Sequence, residues 1–138
     1  FNREAKRLQK KGYVALTKTE NGWLVKILKK GRQRYKEIEM ANLRLPKGQK
    51  WDRTWRLYIF DIPEELRNQR DYLRRKLKEL GLYNIQRSVF AYPYDCRNEL
   101  DFVGDYYNIG KYTTYAEVNN IDIDKELKKY FKSLKILT

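Results

Sequence analysis

The chain has 138 residues and a formal net charge of +13, from 31 Lys and Arg against 18 Asp and Glu. One Cys and no His exclude a disulfide framework, a His-based zinc site and a Ser-His or Cys-His nucleophile pair. Hydrophobic residues make up 41% of the chain, which suits a modest core in one large or two small domains, and no apolar run is long enough to span a membrane.

The positive charge is concentrated at the beginning of the chain. Residues 1–50 hold 15 Lys and Arg against 4 Asp and Glu, whereas residues 51–138 hold 16 against 14. Because a solvated surface ordinarily mixes the two signs, this asymmetry indicates a polyanionic partner such as DNA or RNA. An acidic membrane is a weaker alternative, since the basic segment has no broad apolar face to insert. With no signal segment either, we expect a soluble, cytoplasmic protein with no membrane partner.

A basic helix followed by a β-hairpin is predicted first. The helix covers 1–11, has Phe1 on a narrow apolar stripe and ends at Gly12, while Asn21-Gly22 is a strong hairpin signal. This order is typical of a recognition helix that enters the major groove and a wing that touches the DNA backbone. A solvated helix with an ordinary hairpin gives the same pattern. The candidate DNA contacts are Arg3, Lys6, Arg7 and Lys10 on the helix and Lys18 near the wing tip.

A second basic helix is predicted over 29–42, with Tyr35 and Ile38 facing inward. Its start places cations beside backbone amides, an arrangement suited to phosphate contact. The next residues contain Pro, Gly and three cations without periodicity, which is typical of a linker. We therefore predict a DNA-binding unit over 1–46, a linker over 47–51 and a second domain over 52–138. The cations at the helix start are Lys29, Lys30 and Arg32.

The second domain opens with a strand that turns directly into a helix. Residues 57–60, Leu-Tyr-Ile-Phe, are apolar or aromatic on both faces, as a central strand requires. Asp61 to Glu64 has the spacing of a capping box, and a helix to Leu80 follows. Cations recur along one side of this helix, although a solvated surface paired with local carboxylates has the same spacing. These cations, Arg67, Arg70, Arg74 and Lys78, are further candidates for nucleic-acid contact.

The remaining elements give a ferredoxin-like order. Residues 83–92 are predicted as two strands split by a bend at Arg87-Ser88, and a helix to Tyr107, a strand over 112–118 and a last helix follow. The fold class is therefore α+β, a ferredoxin-like β-α-β-β-α-β domain preceded by a partial winged helix that consists of a basic helix and a hairpin wing. This fold does not by itself determine an activity.

The strand ending in Phe-Asp-Ile and the segment Ile-Gln-Arg-Ser-Val-Phe-Ala-Tyr-Pro-Tyr-Asp-Cys at 85–96 resemble the central domain of PaaX-like transcriptional regulators. That domain is similar in turn to the small ferredoxin-like CRISPR-associated endonuclease. The resemblance spans about 51–137, and residues 1–50 resemble the end of the winged helix that precedes this domain. It implies a transcriptional regulator that binds double-stranded DNA, forms a homodimer through the ferredoxin-like domain and requires no cofactor.

The resemblance also gives Asp61 a second interpretation. The endonuclease family has a metal-binding Asp at this strand end, where two paired subunits can hold a divalent cation such as Mg²⁺ or Mn²⁺ that stabilises charge on a scissile phosphate. However, one carboxylate per chain is a small ligand set for Mg²⁺, and a helix cap accounts for Asp61 without metal. We therefore favour a regulator over an enzyme. The alternatives are a metal-dependent nuclease that uses Asp61 and a non-catalytic scaffold that binds DNA for a partner enzyme.

Overall fold

The computed structural model describes residues 3–138, so Phe1, predicted on the apolar stripe of the first helix, lies outside the described residues. The chain forms two compact units, of which the first ends at Asn42 and the second runs from Leu43 to Thr138. The division therefore precedes the segment predicted as a linker. None of the helices within the described residues is long and apolar enough to cross a membrane.

The first unit is a helix, a two-stranded hairpin and a second helix. Thr19 pairs with Gly22 across the hairpin, which leaves Glu20 and Asn21 as the turn, one residue earlier than predicted. Gly22 has a φ of +131°, a conformation that side chains rarely adopt, so glycine suits the first position of the second strand. The elements are α1 (Arg3–Lys10), β1 (Val14–Thr19), β2 (Gly22–Ile27) and α2 (Lys29–Asn42).

The start of α2 is fastened to the backbone of the hairpin. The Leu28 N–H donates to the carbonyl oxygen of Tyr13 at 2.9 Å. A β-carbon on Gly31 would lie 2.9 Å from the carbonyl carbon of Tyr13 and closer still to its oxygen, so only glycine permits this approach. Tyr35 and Ile38 follow on the Gly31 side of the helix, one and two turns beyond this contact. Both are exposed, Tyr35 by 62%, and the prediction that they face inward is wrong.

The second unit contains one four-stranded antiparallel sheet. Its strand at Trp55–Phe60 pairs with those at Val89–Tyr92 and Thr113–Val118, and Tyr83–Gln86 pairs with Val89–Tyr92 at one edge. The α+β class and the ferredoxin-like order are confirmed, including the division of 83–92 into two strands. Short 3-10 turns lie at Glu64–Leu66 and Gly110–Tyr112. The main elements are β3 (Trp55–Phe60), α3 (Arg67–Leu80), β4 (Tyr83–Gln86), β5 (Val89–Tyr92), α4 (Arg97–Tyr106), β6 (Thr113–Val118) and α5 (Asp124–Ser133).

The core of the second unit is built around β3 and its aromatic side chains. Trp55, at the start of this strand, is 1% exposed, and its ring centroid lies 5.8 Å from that of Phe131 in α5. Beyond α5, Lys135 has a positive φ and the chain turns. Leu134, the residue directly after α5, is exposed. Ile136 and Leu137 are buried in its place.

The segment before β3 belongs to the same unit. The Tyr92 hydroxyl donates to the Pro46 carbonyl oxygen at 2.6 Å, and the Gly48 N–H donates to the Ile136 carbonyl oxygen at 2.9 Å. The Tyr94 hydroxyl lies 2.8 Å from the Gln49 carbonyl oxygen. Hydrogen bonds from distant residues thus hold a stretch that has no regular secondary structure, which explains why the unit begins as early as Leu43.

Candidate nucleic-acid interface

The four predicted cations of α1 share one side of the helix. Positions 3, 6, 7 and 10 follow the i, i+3, i+4, i+7 pattern, which places their side chains on one face. Arg7 forms an ion pair with Glu4, and this hydrogen bond lowers the pKa of the Glu4 carboxyl. Because both partners are solvated, the pair leaves the Arg7 guanidinium accessible. The structure thus presents Arg3, Lys6, Arg7 and Lys10 together at the surface.

The hairpin tip presents one predicted residue and one that was not predicted. Lys18 lies directly across from Trp23 in the antiparallel pair, so the two side chains share a face of the hairpin. Lys18 is exposed, and Trp23 is 48% exposed. The sequence carried a usable signal for Trp23, since a large aromatic residue two positions after Asn21 must lie beside the turn of a hairpin. The tip therefore combines a cation with an accessible aromatic ring.

The cations at the start of α2 are exposed, and two of them also contact residues of the first unit. The Lys30 Nζ lies 5.5 Å from the centroid of the Tyr13 ring, and the Arg32 guanidinium donates to the Ile27 carbonyl oxygen at 2.9 Å. Lys29, Lys30 and Arg32 all remain exposed. Lys30 and Arg32 therefore also stabilise the junction between β2 and α2.

The cationic stripe of α3 is much less available than its spacing indicated. The Arg70 guanidinium donates to the Glu64 carboxylate at 3.3 Å, and only a fifth of the Arg70 side chain is exposed. Arg74 donates to the carbonyl oxygen of Arg87, and its guanidinium lies 5.7 Å from the centroid of the Phe90 ring. Arg70 and Arg74 are therefore engaged within their own unit. Arg67, in a solvated pair with Glu64, and Lys78 remain exposed.

Asp61 is an exposed residue just after β3, and the capping box predicted around it does not form. Pro63 has a ψ of 154°, so the chain stays extended past the strand and the first helical turn begins only at Glu64. The carboxylate of Glu64 pairs with Arg67 and Arg70 instead of reaching back to Asp61. The helix-cap interpretation of Asp61 is wrong.

The donor set around Asp61 does not fit a metal site within one chain. Among residues 3–138, no three Asp, Glu or Cys side chains lie close enough together to hold a metal ion. Asp61 by itself offers Mg²⁺ or Mn²⁺ one carboxylate, whereas such ions take about six oxygen ligands. No hydrolytic step through a metal can be derived from the residues present.

A buried arginine, missed in the sequence, organises one end of the sheet. Arg56 is 7% exposed and donates to both oxygens of the Asp52 carboxylate, at 2.7 and 2.9 Å, and to Glu117 at 2.9 Å. It also donates to the carbonyl oxygens of Thr54 and Pro93. Burial alone would lower the pKa of Arg56, but the two carboxylates outweigh it and raise the pKa. Because its donors are used internally, Arg56 stabilises the fold and is not available to a phosphate.

Cys96 is the single cysteine of the sequence. It is fully buried, and burial raises the pKa of its thiol to about 12, so the nucleophilic thiolate does not form near neutral pH. The sequence contains no His to activate a nucleophile. Cys96 is therefore part of the core of the second unit.

Comparison with protein families supports the relationship noted in the sequence. A family model, the PaaX protein central Cas2-like domain, matches residues 48–130. No curated protein matches the chain significantly. The matched region contains the whole β3–β6 sheet with α3 and α4 and most of α5, and it covers more than half of the chain. The chain therefore belongs to the family of the PaaX protein central Cas2-like domain.

Proposed function

We propose that this chain is a DNA-binding transcriptional regulator of the PaaX type, in which the first unit contacts duplex DNA and the ferredoxin-like unit forms a homodimer. The observation that carries the proposal is that four exposed cations share one face of α1, which is followed by a hairpin whose tip bears Lys18. Residues 1–42 hold 12 Lys and Arg against 4 Asp and Glu. Such an excess on a small unit supports binding to a polyanion.

The two groups of cations are assigned different tasks. The face of α1 enters the major groove, where guanidinium groups such as that of Arg3 can read base edges. Lys18, one residue before the end of β1, and Lys29, the first residue of α2, are both exposed. They contact phosphates, which fixes the register on the duplex without reading sequence. Lys30 and Arg32 add positive charge while holding α2 to the hairpin.

The dimer is supported by the open edges of the sheet in the second unit. β4 and β6 are the edge strands, and each has one hydrogen-bonded neighbour among the described strands. Exposed edges are commonly covered in assemblies, and a two-fold dimer would space two DNA-binding units for a palindromic site. Light scattering is expected to give the mass of a dimer at micromolar concentrations. A monomer at high micromolar concentration would refute this part of the proposal.

The alternatives have weaker support. A metal-dependent nuclease would rest on Asp61, which offers one carboxylate. A non-catalytic scaffold would bind DNA through the same cations, and it differs from a regulator in needing a partner enzyme. Incubation of duplex DNA with Mg²⁺ or Mn²⁺ separates the nuclease from the other two. Robust cleavage that disappears in a folded Asp61→Ala variant would establish the nuclease, and we expect none.

The test of DNA binding is the salt dependence of affinity in two charge-matched variants. Each phosphate contact contributes a slope of about −0.9 to the plot of log affinity against log salt on duplex DNA. The double change Lys18→Gln and Lys29→Gln should flatten the slope by about 1.8 for two lost contacts. The control, Arg67→Gln with Lys78→Gln, removes the same charge from exposed positions of α3 and should leave the slope unchanged.

Sequence reading by α1 is tested separately with a randomised duplex pool. Arg3→Gln is expected to change which sequences are enriched, whereas the Lys18 and Lys29 variants should weaken all duplexes alike.

If the α3 control flattens the salt slope as much as the Lys18 and Lys29 pair does, the first unit is not the main DNA-binding surface.

A further inference from the structure

Trp23 is an accessible aromatic side chain that ion pairing with phosphates does not explain. It follows the two-residue turn of the hairpin, lies across from Lys18 and is 48% exposed.

The charges around the hairpin indicate what kind of surface Trp23 meets. The hairpin has two cations, Lys18 and Lys26, against one carboxylate, Glu20, and the unit as a whole is strongly basic. Pairing this tip with a second copy of itself would bring like charges together, which is unfavourable. A nucleic acid instead offers phosphates to the lysines and apolar sugar and base surfaces to the ring. Charge complementarity therefore selects nucleic acid over self-association.

We infer that Trp23 is a contact of the hairpin tip with the minor groove of duplex DNA, where its ring packs against sugars and base edges while Lys18 holds the adjacent phosphate. This inference rests on the proposed function and deepens it, because it adds an apolar contact to the ionic ones. The width and deformability of the groove, which depend on base sequence, then influence binding at positions that the helix does not touch.

Affinity measurements on the full chain distinguish this contact from an ionic one. Trp23→Ala should weaken duplex binding several-fold, because the apolar area that the ring buries against the duplex is lost. The slope of log affinity against log salt should stay unchanged, since the ring carries no charge. Leu24→Ala is the matched control. Leu24 is 59% exposed and is the next residue in β2, so its side chain points to the opposite face, and its replacement should leave affinity unchanged.

Fluorescence supplies a second readout that does not depend on the alanine variant. Trp23 is the most exposed of the three tryptophans, so adding duplex DNA should change its emission. Trp23→Phe should abolish that change while retaining part of the affinity. Circular dichroism checks that each variant is folded, and if Trp23→Ala unfolds, the fluorescence change and Trp23→Phe still decide the question.

Four results would overturn the inference. The first is equal duplex affinity of Trp23→Ala and the unchanged chain, and the second is an equal loss in Leu24→Ala. The third is an emission change with single-stranded but not duplex DNA, and the fourth is a loss of dimer mass on replacing Trp23. Salt-dependent duplex binding with no response of Trp23 rejects this inference alone, whereas the absence of any duplex binding rejects the proposed function as well.

Discussion

Replacing Gly31 by Ala tests whether the first turn of α2 is locked onto the hairpin. Gly→Ala within a helix ordinarily stabilises by about 1 kcal/mol, because Ala has the higher helix propensity. Here we expect the opposite sign. The new β-carbon would lie 2.9 Å from the carbonyl carbon of Tyr13, whereas carbon atoms in favourable contact are about 3.5–4.0 Å apart.

The magnitude follows from what would have to move. The Tyr13 carbonyl oxygen accepts a hydrogen bond from the Leu28 N–H at 2.9 Å, so neither backbone segment can shift without weakening that bond. Overpacking of this kind costs up to about 3 kcal/mol in ordinary cases. Subtracting the propensity gain of about 1 kcal/mol leaves a net destabilisation of the first unit of about 2 kcal/mol.

Amide hydrogen exchange of the full chain, followed peptide by peptide, measures the first unit separately from the second. A loss of about 2 kcal/mol should speed exchange in the hairpin about 30-fold where exchange occurs through opening of the unit. Gln33→Ala, at an exposed position of the same helix, is the control and should change stability by less than about 0.5 kcal/mol. Hairpin exchange in Gly31→Ala as slow as in the unchanged chain would refute the packing argument.

Three further changes probe the second unit. Arg56→Met should cost about 2–3 kcal/mol at pH 7, below the 3–5 kcal/mol of a fully buried pair because its carboxylate partners can hydrate. The hydrogen bond from Arg56 lowers the pKa of the Asp52 carboxyl below its ordinary 3.8, so the ion pair stabilises the fold above that pH and is lost as Asp52 becomes protonated at lower pH. In urea unfolding, the difference in stability between the unchanged chain and Arg56→Met should therefore narrow below about pH 4. Tyr94→Phe should cost about 1 kcal/mol and speed amide exchange at 47–50, and unchanged exchange there would contradict the hydrogen bond. Asp61→Ala should change stability by less than about 0.5 kcal/mol, whereas a loss near 1 kcal/mol in thermal unfolding would indicate a cap after all.

Local chemistry made most of the fold predictable. The apolar and aromatic residues on both faces of 57–60 identified a central strand, and the bend at Arg87-Ser88 separated two strands as expected. The capping box failed because spacing alone ignores the extended backbone of Pro63. The prediction that Tyr35 faces inward was wrong for a related reason. Helical periodicity shows which side of a helix is apolar, but not how far along the helix that side is covered by other residues.

Sequence patterns also gave limited information about which cations of the candidate site are available to a ligand. Periodicity grouped the cations of α1 and those of α3 equally well, yet Arg74 is bound to the carbonyl oxygen of Arg87 in a turn between two strands. Arg56 has one local partner, Asp52 four residues earlier, but its other partners are distant in the sequence, Pro93 by 37 residues and Glu117 by 61. Whether a charged side chain is available to a ligand thus depends on partners that only the tertiary structure brings near.

Because the Cys96 thiol is buried, thiol reagents can be used to follow unfolding of the protein and to label introduced cysteines selectively. As the sole cysteine, fully covered in the second unit, it should react with thiol reagents only when that unit opens. The reaction rate under native conditions therefore measures the opening of the second unit without any substitution. A cysteine introduced at an exposed position of the first unit, such as Thr17, would be labelled selectively in the folded chain. A dye could then be attached to β1 of the hairpin without removing the native cysteine.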